Sequence, residues 1–481
     1  MLFNRKVFVV FLAVVLAVYY RLGAQGKLWF LLGMSFVFYG FWDARLCLLV
    51  GVSVLVSYAS GLWTVSVAGS TRRWAFGLGL LVNLGALFFF KYTNFFLDSC
   101  AALVSVLGGT WKSSHLPLLL PVGISFYTFQ LVSYNIDVYR REIPAERNLR
   151  DFALYLMFFP QLVAGPVERA SHLLPQYKLD FRLTRDQVLH GIFLILLGFL
   201  KKIVLADRLA DWIAPQFAEE ATSGTVAWLS VLLFTTDIYL DFSAYSDIAI
   251  GVGKLLGYDI RANFDLPFVV PSIPERWRRW HISMSHWFRD YVYYPLGGNR
   301  RGAVRTQVNI LAVMFLSGLW HGASYNFVVW GLLNGLSMVA HRWLTPLLGP
   351  IAAWMGRWWL TRWGYFYLCC LNTMLLISSI NIFFRSDNWE VAASFVRTMF
   401  MGGPLGVWRD ALALDHLPGG YRAGLWMFGI VLIAHEAQRH VDLQARIFRS
   451  RWLWGVSCAS LFAVIVLFGV RGGGRFIYFQ F

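Results

Sequence analysis

Apolar positions in this chain neither alternate nor repeat on a single face; they run on without interruption. No Lys, Arg, Asp or Glu occurs in 7–20, 28–42, 46–71, 74–90, 113–136, 152–167, 363–384 or 452–470, and the longest such window spans 306–341. A helix needs roughly 20 apolar residues to cross about 30 Å of hydrocarbon. Several windows reach that length, and the shorter ones fit tilted or re-entrant pieces shielded by protein. The pattern predicts an all-α polytopic membrane protein with about eleven crossings, plus re-entrant and interfacial helices.

Composition strengthens that reading. Hydrophobic residues make up 58% of the 481 positions and charged residues 14%, against about 45–50% and roughly 25% in soluble domains. A net charge of +16 would suggest nucleic acid in a soluble chain. Here the basic residues cluster at 140–150, 182–185 and 276–305, between apolar runs. That matches the positive-inside bias of cytoplasmic loops and contact with anionic lipid. No nucleic-acid-binding module accompanies the charge. The N-terminal apolar run lacks a small-residue cleavage site and reads as a first membrane helix.

The chain reads as one membrane domain in three parts: N-terminal helices (1–110), a catalytic core (111–345) and C-terminal helices (346–481). Pro160, Pro166, Pro271, Pro274 and Pro295 punctuate the core. Broken helices at membrane depth must line a cavity or lie buried in protein, so a site is expected there. The five cysteines lie in apolar stretches without metal-ligand spacing, and no HExxH or Cys/His cluster suggests a metal. Neither a nucleotide-binding glycine pattern nor a Gly-x-Ser-x-Gly elbow is present.

Three constellations could carry chemistry. His321 stands in SGLWHGASYN (317–326), midway along the longest charge-free window. Were that window one helix, the ring would sit near the bilayer midplane, where ionisable groups are functional candidates. Apolar burial favours a neutral imidazole, able to accept a proton. Gly318, Gly322 and Ala323 leave room for a substrate or another backbone. A packed core histidine fits the position equally well.

The second is PERWRRWHISMSHWFRDY (274–291). Trp277, Trp280, Met284 and Trp287 recur at helical spacing beside basic residues, which predicts an amphipathic helix at the membrane interface. Arg276, Arg278 and Arg279 could hold an acyl donor's phosphates or simply bind lipid headgroups. The third is DIYLDFSAYSD (237–247), whose carboxylates need partners; the same arginines are the candidates. A transporter remains the non-enzyme alternative, although no internal repeat supports it.

These segments together resemble the membrane-bound O-acyltransferase (MBOAT) family, in particular its bacterial branch that O-acetylates polysaccharides. The resemblance rests on LPVGISFYTF (120–129), YNIDVY (134–139), FPQLVAGP (159–166), Lys201-Lys202, IYLDFSAYSD (238–247), NFDLP (263–267), WRRWHIS (277–283), RDY (289–291), PLGGNR (295–300), GLWHGAS (318–324) and the ending FIYFQF (476–481). It implies a ring of helices around a thin centre entered by funnels from both faces. His321 then matches the essential catalytic histidine and His281 the second recurrent position, His or Asn across the family. Arg276, Arg278, Arg279, Trp280, Asp241, Ser324 and Asn326 become candidates for lining the site or binding the donor, with His281 or Ser324 orienting the base.

The resemblance further implies no tightly bound cofactor and no metal. The donor is a cytoplasmic thioester, acetyl-CoA or an acyl carrier, and the setting is a bacterial inner membrane. The expected partners are the membrane lipids, a periplasmic acetyltransferase and a polysaccharide acceptor such as alginate or cellulose. Peptidoglycan, teichoic acid and lipid stay open as other acceptors.

Overall fold

The computed structural model describes residues 1–179, 183–219, 223–357, 359–400, 417–470, 474, 476 and 477. Every regular element among these is helical. Among the described residues seven helices are long and apolar enough to cross a membrane, including Ala44–Ser66, Gly224–Leu256, Ala303–His321 and Arg451–Phe468. Large apolar side chains on such helices stand outward, as at Leu48 (75% exposed) and Trp452 (82%). Apolar surface of this kind belongs against lipid, where helices keep every backbone group satisfied internally.

The other charge-free windows among the described residues take different forms. Three charge-free windows became helices of 14 to 17 residues, Lys6–Tyr19, Ala24–Gly40 and Ile124–Arg140. The 152–167 window is no span at all. It holds the end of the nine-residue Leu149–Met157 helix and then buried turns. Absence of charge therefore marked burial in protein as well as burial in lipid.

The chain divides into two compact units, 1–195 with 245–261, and 196–244 with 262–481. In the first, Phe3 stacks on Tyr245 with ring centroids 4.4 Å apart, and Phe11 meets Phe159 edge-on at 5.3 Å. Small polar residues close the neighbouring helices on one another. Ser60 Oγ donates to the Ala75 carbonyl (2.8 Å), and Asn83 Nδ2 to Ser57 Oγ (2.7 Å). Two of the recognised motifs meet here. Gly123, at φ 74°, caps the Ile124–Arg140 helix, and a Cβ there would lie 3.0 Å from the Leu162 carbonyl. Gln130 Nε2 then donates to Gln161 Oε1 (2.8 Å). These motifs are architecture.

The second unit carries the candidate chemistry. Its centre is a hairpin of the Ala303–His321 and Tyr325–Met355 helices. Gly318 and Gly331 let the two backbones touch, each Cα lying 3.1 Å from where the other's Cβ would stand. The space opposite the glycines is thus filled by a helix. The 306–341 window is two helices broken at Gly322–Ser324, and His321 is the last residue of the first. Nearby, Lys202 is buried between Asp241 (2.5 Å) and Asp207 (2.9 Å). Asp241 Oδ2 also accepts the backbone N–H of Ile477 (2.7 Å). The partner of this carboxylate is a lysine, where the sequence pointed to the arginines. Tyr478 to Phe481 of the similar C-terminal ending, and Arg182 of the basic cluster, fall outside the described residues.

Candidate active site

A helix ending at His321 presents the imidazole at the break instead of along a packed face. The ring is 6% exposed and bounded by aromatic edges: Trp320 at 4.8 Å, Trp330 at 4.9 Å and Phe384 at 5.0 Å between centroids. It opens on a small cavity of about 20 Å³ shared with Arg276, Trp277, Trp280, Asn334 and Asn381. The walls come from four stretches distant in sequence. Their polar groups converge on one point, as expected of a ligand site.

Arg276 is the second notable group. Its side chain is buried, donates through Nη1 to the Pro267 carbonyl (3.0 Å) and lies over the Trp280 ring at 4.0 Å and Phe268 at 5.2 Å. Among the described residues no carboxylate pairs with it. A desolvated cation held only by π-faces and a carbonyl is costly to maintain. It is well placed to meet negative charge arriving in the cavity. Behind it, the Tyr239 hydroxyl is hydrogen-bonded to His435 Nε2 (2.9 Å), and both residues pack on Phe268.

The three arginines do not act together. Arg278 is exposed and pairs with Glu275 (3.0 Å), while Arg279 pairs with Glu275 (2.8 Å) and Asp265 (3.7 Å). Those arginines hold the Glu275 carboxyl below its ordinary range, Arg279 most strongly. Arg278 also lines a second, larger cavity of about 760 Å³ with Arg289, Arg342, His286 and His341. Trp277 lines both cavities.

The stripe Trp277, Trp280, Met284 and Trp287 is buried in protein instead of facing lipid, each residue being less than a tenth exposed. Nor is it one helix. Ile273–Arg279 and Ile282–Phe288 are separated at His281, which sits in the left-handed region at φ 43°. That turn swings the His281 ring inward, where Nδ1 donates to Asn263 Oδ1 (3.1 Å) and Phe242 packs edge-on at 4.7 Å. Complete burial pulls its pKa down to about 3, which keeps it neutral. His281 is absent from the His321 cavity; Trp320 lies against both rings, 5.7 Å from one and 4.8 Å from the other.

Other predicted site residues make their contacts away from the His321 cavity. Asp241 belongs to the Lys202 network. Ser324 is the N-cap of the Tyr325–Met355 helix, and Asn326 ties that helix to the Ser386 carbonyl (2.9 Å). Neither lines the cavity. The sequence reading missed Trp330, Asn334, Ile377, Asn381 and Phe384. Two asparagines inside charge-free windows were the available signal. Among the described residues, no group of three or more His, Cys, Asp or Glu is placed to hold a metal ion.

Among the described residues, His321 and an arginine without a carboxylate partner thus line one cavity where the membrane helices break. Residues 140–384 match the membrane-bound O-acyltransferase family. The chain is 39% identical to a probable alginate O-acetylase, AlgI, of Pseudomonas putida, covering 84% of this chain and 81% of that protein. It is 33% identical to a Helicobacter pylori peptidoglycan O-acetyltransferase over 83% and 80%. A Streptococcus thermophilus teichoic acid D-alanyltransferase is 31% identical over 46% of this chain. The chain belongs to the MBOAT family and is a multi-pass membrane O-acyltransferase.

Proposed function

We propose that this protein moves an acetyl group from a cytoplasmic thioester, acetyl-CoA or an acylated carrier, towards O-acetylation of an extracytoplasmic polysaccharide such as alginate or cellulose. The observation that carries the proposal is the meeting of His321 and Arg276 at one buried cavity. His321 takes the proton of an acceptor hydroxyl as that oxygen bonds to the thioester carbonyl carbon. Arg276 supplies positive charge where the oxyanion develops. The carbon–sulfur bond then breaks, and the leaving thiolate recovers a proton from the imidazolium. The net change is ester plus free thiol. The 760 Å³ cavity, with Arg278, Arg289 and Arg342 on its walls, lies within the usual volume range for ligand sites of about 300–1,000 Å³ and suits an anionic donor arm.

The direction of transfer, the inner-membrane setting and a periplasmic acetyltransferase that finishes the modification complete the reading. Relatives named for alginate acetylation at 39% identity support the exopolysaccharide acceptor. The Helicobacter pylori relative makes peptidoglycan the second candidate. Mass spectrometry of cell-surface polymers with and without the gene tests the proposal. Loss of O-acetyl from an exopolysaccharide supports it, and loss confined to peptidoglycan or lipid refutes the acceptor.

A further inference from the structure

The cavity beside His321 is notable for how little it admits. Its 20 Å³, counted as positions for the centre of a water-sized sphere, compares with roughly 10–15 Å³ for a single water on the same measure. One or two groups of that size fit. A thioester carbonyl brought to His321 carries an oxygen and whatever extends beyond the carbonyl carbon. For acetyl this is one methyl; for butyryl it is a methyl and two methylenes.

The walls are not free to retreat. Trp330, edge-on to the His321 ring, donates through Nε1 to Asn381 Oδ1 (3.0 Å). Asn381 Nδ2 donates in turn to Thr235 Oγ1 (3.1 Å), and Thr235 Oγ1 to the Val231 carbonyl (2.8 Å). This chain of bonds fastens the Tyr325–Met355, Trp359–Arg385 and Gly224–Leu256 helices to one another. Phe384 is held edge-on against both Trp330 (5.4 Å) and His321. Moving any of these rings would break buried hydrogen bonds or strip the base of its packing. The aliphatic part of the lining consists of Ile238 and Ile377, both buried. Neither is in ring contact with His321, and neither makes a hydrogen bond through its side chain. As the aliphatic part of the lining, they border the space that an acyl chain beside His321 would have to share.

We propose that Ile238 and Ile377 set the upper size of the transferred acyl group, limiting the enzyme to donors with a two-carbon acyl chain. The proposal rests on the acyl-transfer reading above and adds the residues that determine donor choice.

Acetyl-, propionyl- and butyryl-CoA are offered to the full-length protein in proteoliposomes, with the source cell's own periplasmic extract and O-deacetylated surface polymer together supplying the acceptor. In the natural protein kcat/KM falls about 10–200-fold per added methylene. Ile377→Ala and Ile238→Ala each raise the butyryl-to-acetyl ratio about tenfold or more. Ile377→Val, a smaller truncation, gives an intermediate ratio and keeps the test open should the alanine forms fail to insert. Butyryl transfer by the natural protein within about threefold of acetyl, or a ratio unmoved by all three substitutions, overturns the proposal. A different failure marks the underlying reading: no His321-dependent transfer with any of the three donors removes acyl transfer itself, and the size filter with it.

Discussion

His321 and Trp330 meet edge to face with ring centroids 4.9 Å apart, and the indole is pinned through Nε1 to Asn381. The imidazole is thus oriented by packing, and its neighbour by a hydrogen bond to a third helix. A site held this way should respond sharply to changes in charge at its rim and weakly to changes in the exposed loops.

Arg276 is the sharpest case. Its cation lines the His321 cavity without a carboxylate among the described residues. Arg276→Gln keeps a donor but removes the charge, and kcat should fall about 10²–10³-fold with a smaller change in KM. Steady-state kinetics on the reconstituted variant measure this. Unchanged kcat would place the arginine outside the reaction.

Lys202 tests the buried network. Its ammonium and both carboxylates, Asp207 and Asp241, are about 3% exposed. Removing one partner of such a set typically costs about 3–5 kcal/mol, because the others stay buried and uncompensated. Lys202→Met should therefore lower the thermal midpoint of the detergent-solubilised protein markedly, and adding Asp241→Asn should recover part of the loss. A midpoint equal to that of the natural protein would contradict the account.

Much of this was legible in the sequence. His321 stood out as an ionisable residue inside a long charge-free window, and the structure places a cavity beside it. The broken helices around Pro271 and Pro274 also bound that site. The fate of the Trp277, Trp280, Met284 and Trp287 stripe was not legible. A periodic apolar face reads the same whether it meets lipid or protein, and nothing in the letters reveals the left-handed turn at His281. The wall from Ile377 to Phe384 lies 56 to 63 residues beyond His321, so only the fold brings it in. Asp241 was matched to the wrong cation for the same reason: Lys202 is 39 positions away and the arginines are 35 or more. Sequence distance did not discriminate between them.

His281 gives a conformational prediction. At φ 43° the residue tolerates Asn or Gly better than a β-branched side chain, for which positive φ is a severe outlier. His281→Asn should insert and stay folded, while His281→Val should be lost from the monodisperse fraction on size-exclusion chromatography. Equal recovery of both would mean the turn is not needed.

His172 predicts a pH dependence outside the membrane-spanning helices. It joins Glu168 (2.8 Å) and Asp259 (3.7 Å), and these carboxylates, Asp259 foremost, raise its pKa to about 9. Burial and the neighbouring Arg261 act weakly the other way. A pKa raised by folding means the tie is fully stabilising below about 6.5 and is lost as pH rises through about 9. Thermal midpoints of the natural protein and His172→Gln should differ at pH 6 and converge by about pH 10. A constant difference across that range would exclude the charged tie.

The central claim is that His321 is the base for acyl transfer. The direct measurement is release of free CoA from acetyl-CoA, dependent on added periplasmic extract and polymer, by the natural protein and by His321→Ala in matched proteoliposomes. With insertion and size-exclusion profile unchanged, the variant should lose about 10²–10⁴-fold in rate. A variant that folds alike and keeps full activity would contradict the account.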